Sequence, residues 1–223
     1  MYYQKNRNIG IVEIIITINV ILFLIPMFSN ILLGNNNFIT FFYDLFGLQI
    51  NTTSYFTINN GAYWQILTSI FLHGGIMHIF FNMFTLYIFG KPLEEKWGKL
   101  KFLSFYLTIG ILANIASIIF FILTKQQVSM VGASGAIFGV LLAFGGYYPE
   151  VMLLLFFVIP IKAKWAILLM AVLSLFFQVT NTMGSIGHIT HLFGFLFGFL
   201  YLLIFFKTNA IKEMFFRNRN YYY

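Results

Sequence analysis

The stretch Val131-Gly132-Ala133-Ser134-Gly135-Ala136-Ile137-Phe138-Gly139 sets one serine among small residues, at the head of an apolar run that continues through Leu141, Leu142 and Phe144. Gly135 and Gly139, four residues apart, would let a second helix approach at backbone distance in a membrane. A serine hydroxyl can also bond back to its own helix. Taken alone, the stretch therefore reads first as a packing surface. The other polar residues of the apolar segments change that reading.

Of the 223 residues, 60% are hydrophobic and only 9% charged, against roughly 25% charged in soluble domains. A soluble core could not hide so much apolar surface, so lipid is the solvent for most of the chain. With no cysteine, a disulfide framework, a thiolate metal site and a cysteine nucleophile are all excluded. The net charge of +7 could suit nucleic acid, but its distribution reads as membrane topology instead.

Six spans are expected, over about 9–33, 63–90, 102–123, 134–146, 163–179 and 188–206. The first is too long, and lacks the small-residue cleavage site, to be a removed signal peptide. Between the spans lie a long outer loop (34–62) rich in aromatics, a charged turn (91–101) and a nine-residue apolar piece (151–159). The loop should carry its own structure, the turn should be solvated, and the apolar piece, closed by Pro160, should dip into an interface. The tail 207–223 reads as polar and fraying. No repeat or linker divides the chain, so 1–223 reads as a single domain with its core at about 63–201. In this arrangement Lys125 alone of the 13 basic residues falls on the far side, which puts both termini in the cytoplasm. The fold class is an all-α polytopic membrane protein, a six-helix bundle.

Ionisable and amide side chains within spans are costly and mark functional sites. The second span carries His73, His78 and Asn82; the fourth, Ser134; the sixth, His188 and His191. His78 and Asn82 lie four apart and share a helix face, about 40° apart, whereas His73 points elsewhere. Gly194 and Gly198, three and seven residues after His191, flatten the histidine's side of the sixth helix. Matched against Gly135 and Gly139, that face predicts a close contact of the fourth and sixth helices with Ser134 against His191, a nucleophile–base pair. Of the acidic residues only Asp44 lies on the outer side, so a dyad is expected, its ring held by packing. Phe138, one turn deeper than Ser134, could stack on that ring. His78, Asn82 and the Ser134 amide at the helix start are the available oxyanion donors. His73 reads as a tie between the outer loop and the second span, and His188 as a neighbour of the base.

The residues His78-x-x-x-Asn82, Gly132-Ala133-Ser134-Gly135 and His191-x-x-Gly194-x-x-x-Gly198 resemble the rhomboid intramembrane serine proteases, in the family's order and on the spans the family uses. The resemblance covers about 63–201. It implies a six-helix rhomboid core that cleaves transmembrane substrates near the outer membrane face, with Ser134 as nucleophile, His191 as general base, His78 and Asn82 as oxyanion side chains and Phe138 as the aromatic that stacks on the base. Gly132, Gly135, Gly139, Gly194 and Gly198 would serve close packing. It also implies single-pass transmembrane proteins as substrates, entry from lipid between the second and fifth spans, and no cofactor. Two positions depart from the family. Trp64-Gln65 stands where the family has Trp-Arg, which implies a looser outer loop. Thr190 stands where the family has alanine, a milder change.

Other classes fit less well. Four histidines could suggest zinc, but no HExxH motif or carboxylate ligand accompanies them, so no metal is expected. An aspartyl intramembrane protease needs paired aspartates, and Asp44 is the single one. A transporter would carry its polar residues through the midplane; here they gather near one face. The competing reading is a catalytically inactive rhomboid relative that binds membrane helices. Asn-, Ile- and Phe-rich usage points to a bacterial plasma membrane.

Overall fold

A computed structural model describes residues 9–33, 36–155, 158–180 and 186–216. Helix α1 (Ile11–Leu33) starts against an acidic partner. The Glu94 carboxylate accepts the Ile11 and Val12 amides at 2.7 and 3.0 Å, satisfying donors that a helix start leaves open. Lys91 pairs with Glu13, and Lys99 donates to the Ile9 carbonyl at 2.6 Å.

The expected second span is not one helix. A short arm, Gln65–Phe71, meets Ile76–Trp97 at 90°. The break falls at Leu72-His73-Gly74-Gly75, where two glycines remove helix propensity together. The arms comprise α3 (Gln65–Thr68) with a 3₁₀ turn, α4 (Ile76–Thr85), a π-helical turn (Leu86–Gly90) and α5 (Lys91–Trp97). Pro92 has no N–H for the Ile88 carbonyl, and the wider π turn lies where the helix must absorb that loss. The turn expected to be solvated over 91–101 is thus mostly helical, and Glu94 is buried in it. Gly98, at φ +86°, separates α5 from α6 (Lys99–Leu123).

Helix α7 (Ser134–Tyr147) is buried from Gly135 through Gly146, enclosed chiefly by α6 and by α9 (Ile186–Phe205). Helix α8 (Ala163–Thr180) flanks it with most of its large apolar side chains turned outward. The 151–159 piece enters a β-hairpin of strands Met152–Leu155 and Ile159–Lys162. The tail also departs from expectation: Ala210–Phe215 forms a helix, capped by the Asn209 side chain, that buries Ala210 and Met214. Residues 217–223 lie outside the described ones.

Among the described residues, Ile11–Ser29, Lys99–Leu123, Ala163–Thr180 and Gly187–Phe205 are long and apolar enough to cross a membrane, and the bent pair adds a fifth if counted as one span. α7, of 14 residues, rises about 21 Å, short of the ~20 residues a bilayer usually needs. The chain is thus mostly helical, with four to five candidate spans rather than six of full length.

The outer loop has its own fold: helix α2 (Asn37–Phe46), strand β1 (Leu48–Ile50) and a 3₁₀ turn. β1 pairs antiparallel with β2 (Val128–Met130), Gln49 opposite Ser129. The segment leading into Ser134 is therefore held by a loop some 80 residues earlier.

Candidate active site

Ser134 opens α7, where the first amides of the helix lack intrahelical partners. Its approach is fixed by the β1–β2 pairing and by the Gly132 amide, which donates to the Ser69 carbonyl at 2.9 Å. Gly132 itself lies outside α7 and α9, unlike the packing glycines with which it was grouped. It adopts φ +134°, and a Cβ there would lie 2.8 Å from His78 Nε2 and 3.8 Å from Ser134 Oγ. Only a glycine keeps that backbone conformation at low cost and leaves room for the imidazole.

His191 sits one turn into α9. A Cβ on Gly194 would be driven into the Gly135 carbonyl oxygen, and one on Gly198 would lie 2.8 Å from Gly139 Cα. α7 and α9 thus touch backbone to backbone along the seam that begins at Ser134 and His191. The Phe138 ring lies flat on the His191 ring, centroids 4.1 Å apart and planes 9° apart. Phe195 meets Phe138 edge-on from behind. His191 Nδ1 is buried and makes no hydrogen bond among the described residues, which leaves Nε2 as the open nitrogen.

Ser134 and His191 line one cavity of about 350 Å³, together with Met77, His78, Phe81, Asn82, Phe138 and Met170. No hydrogen bond joins the two side chains, although catalytic bonds often close only with substrate bound. His78 and Ser134 also border a second, more polar cavity of about 240 Å³, lined further by Ser69, Asn114, Ser129, Gly132 and Thr190. The Asn82 amide donates to the His78 carbonyl at 3.0 Å, and a second N–H on the same nitrogen remains.

Gln65 departs from the sequence reading, whereas His73 and Thr190 gain definite partners. Gln65 is fully buried; its Nε2 donates to the carbonyls of Asp44, Leu45 and Phe56, and its Oε1 accepts the Gln49 amide at 3.0 Å. One neutral amide gathers three stretches of the outer loop, so the missing guanidinium does not leave the loop unanchored. His73 ties the loop through its backbone, its carbonyl accepting the Tyr43 hydroxyl at 2.6 Å, while its ring lies edge-on to His78 at 4.9 Å. Thr190 is buried and hydrogen-bonded to Ser117 at 2.8 Å. Among the described residues no cluster of His, Asp and Glu could hold a metal ion.

Residues 60–208 match the Rhomboid domain family. The chain belongs to the rhomboid family. It is 34% identical over 143 residues to "Putative rhomboid protease YdcA" of Bacillus subtilis (strain 168), covering 64% of this chain and 67% of that protein. It is 36% identical over 137 residues to rhomboid protease GluP of the same organism, covering 61% of this chain but 25% of GluP. Rhomboid-like protein 11, chloroplastic, of Arabidopsis thaliana is 43% identical over 81 residues, 36% of this chain and 28% of that protein. Rhomboid membership supports intramembrane protease activity and a multi-pass membrane location.

Proposed function

We propose that this rhomboid is an active intramembrane serine endopeptidase that cleaves single-pass transmembrane substrates near the outer membrane face through a Ser134–His191 dyad. One observation carries the reading: Ser134 and His191 open onto the same cavity from helices locked at backbone distance, with Phe138 stacked on the imidazole. Ser134 Oγ attacks the scissile carbonyl, and His191 Nε2 takes the proton and returns it to the leaving amine. The Ser134 amide, His78 and the second Asn82 N–H stabilise the oxyanion. Water then hydrolyses the acyl-enzyme, and the polar lining of the 240 Å³ cavity suits a water that needs 2–4 partners. Substrate enters sideways from lipid between α4 and α8, past Met77, Phe81 and Met170, which line the larger cavity; 181–185 of the loop above lie outside the described residues.

The topology that goes with this reading has six membrane segments in a single rhomboid unit, both termini cytoplasmic, the bent pair counted once and α7 as a short central segment enclosed by the others. The basic residues support that orientation, and the membrane is the plasma membrane of a bacterium. The test is cleavage of a model transmembrane substrate in liposomes. Wild type cleaves, and Ser134→Ala and His191→Ala do not; equal product from all three ends the proposal. The competing reading is an inactive helix-binding relative. A fluorophosphonate adduct on Ser134 excludes it, and substrate capture without an adduct supports it.

A further inference from the structure

Helix α6 carries Asn114 and Ser117, one turn apart on its buried face, while Ile115, Ile119 and Ile122 point outward. The dyad does not include either residue. Yet each is hydrogen-bonded to a neighbour of one dyad member. Asn114, only 5% exposed, donates to the Ile66 carbonyl at 2.9 Å and to Ser69 Oγ at 3.0 Å. Ser69 in turn accepts the Gly132 amide on its carbonyl, two residues before Ser134. Ser117 is fully buried and donates to the Ala113 carbonyl at 2.8 Å. Its oxygen is then free to accept the Thr190 hydroxyl at 2.8 Å, one residue before His191. Between these two connections, the site of a Cβ on Gly135 lies 3.1 Å from Ala113 Cβ and 3.1 Å from Thr190 Cγ2, so methyl groups from α6 and α9 close on the same point of α7.

We propose that Asn114, Ser117 and Thr190 are positioning residues: a polar brace on α6 that sets the separation of the Ser134 segment from His191. The inference rests on the dyad reading. α7 and α9 meet on glycines, which fix how closely the helices approach but present no side chains to interlock against sliding along the seam. Hydrogen bonds from a third helix supply that register. Held on side chains that are almost wholly buried, such bonds fix direction as well as distance. The Thr190 hydroxyl thus has a role that an alanine at that position could not fill.

The experiment uses the full chain in liposomes, with a model transmembrane substrate for kcat and KM and a fluorophosphonate for the rate of Ser134 labelling. Misplacement of a reacting group by about 1 Å can cost 10²-fold in rate. On that scale Ser117→Ala and Thr190→Val should each lower kcat and the labelling rate about tenfold, with KM within about twofold. Thr190→Ser, which keeps the hydroxyl, should restore wild-type rates. The double variant should be no slower than either single one, because both remove the same bond. Asn114→Ala should slow labelling without changing KM. If Thr190→Val keeps wild-type kcat and labelling, or its loss is not restored by Thr190→Ser, the brace is overturned while an inactive Ser134→Ala leaves the dyad intact. If Ser134→Ala still cleaves, both proposals fall.

Discussion

Helices α7 and α8 lie side by side in one membrane bundle and are built on opposite plans. Small residues stud α7, which is covered along its length and meets α9 through Gly135 and Gly139. α8 buries Ala163, Ala166, Ile167 and Ser174, while Leu168, Leu169, Val172, Leu173, Leu175 and Phe176 face outward. In water, the helix with the larger apolar side chains would be held more firmly. In lipid the surroundings are as apolar as leucine, so burying such side chains between helices contributes little, and close backbone approach with interhelical hydrogen bonds decides what is fixed. The helix that carries Ser134 is on the fixed side of that division. The helix that borders the lateral cavity is not.

The sharpest way to break this comparison is to widen the seam. Gly194→Ala forces a methyl group into the Gly135 carbonyl oxygen, and overpacking of that kind should cost roughly 3 kcal/mol and cleavage with it. SDS titration of helicity in mixed micelles measures the cost. Next is Gln65→Ala, which strands the carbonyls of Asp44, Leu45 and Phe56 and should cost roughly 2 kcal/mol. It should also open the outer loop, rich in Phe and Tyr, to added aromatic-specific protease well before the bundle melts. On α8, Val172→Leu enlarges a side chain that is 53% exposed and should shift stability by less than about 0.5 kcal/mol. If Val172→Leu proves as costly as Gly194→Ala, the division between the two helices is not real.

The smallest effect is at the hairpin of Met152–Leu155 and Ile159–Lys162, and it depends on pH. Lys162 and Lys164 hold the Glu150 carboxyl down at about 2, with Lys162 at 2.7 Å. An unfolded glutamate titrates near ~4.3, so the stabilisation is complete above that pH and fades as the pH falls through about 2. Wild type and Glu150→Gln should therefore converge in melting temperature as acid is added. A gap that stays constant over the same window removes the ion pair as its cause.

The residues that the candidate site brings together were more legible in the sequence than the scaffold around them. Ser134, Phe138, His191 and the four seam glycines are related by helical periodicity, and periodicity survives into three dimensions wherever a helix is unbroken. His73-Gly74-Gly75 was equally visible, but a glycine pair tells where propensity fails and not how far the chain then turns. Glu94 read as solvated because its neighbours are charged; only the course of α1 brings the Ile11 and Val12 amides to it. Gln65 was measured against the guanidinium it replaces, although a buried amide reaches three carbonyls when one of its two N–H groups is shared. Asn114 and Ser117 stayed invisible because an isolated polar residue in an apolar run gives no sign of which neighbour it will meet. The 151–159 run shows the known ambiguity of short apolar pieces, which fit a buried helix, an interface segment or a strand equally.

The pairing of residues 48–50 with 128–130 also imposes a sequence of events on biosynthesis. The first strand leaves the ribosome long before the second, and the bent pair and α6 lie in between. Until the later strand arrives, the loop has no template for its ribbon and the segment leading into Ser134 has no frame. The candidate site therefore cannot come together until more than half of the chain has been made.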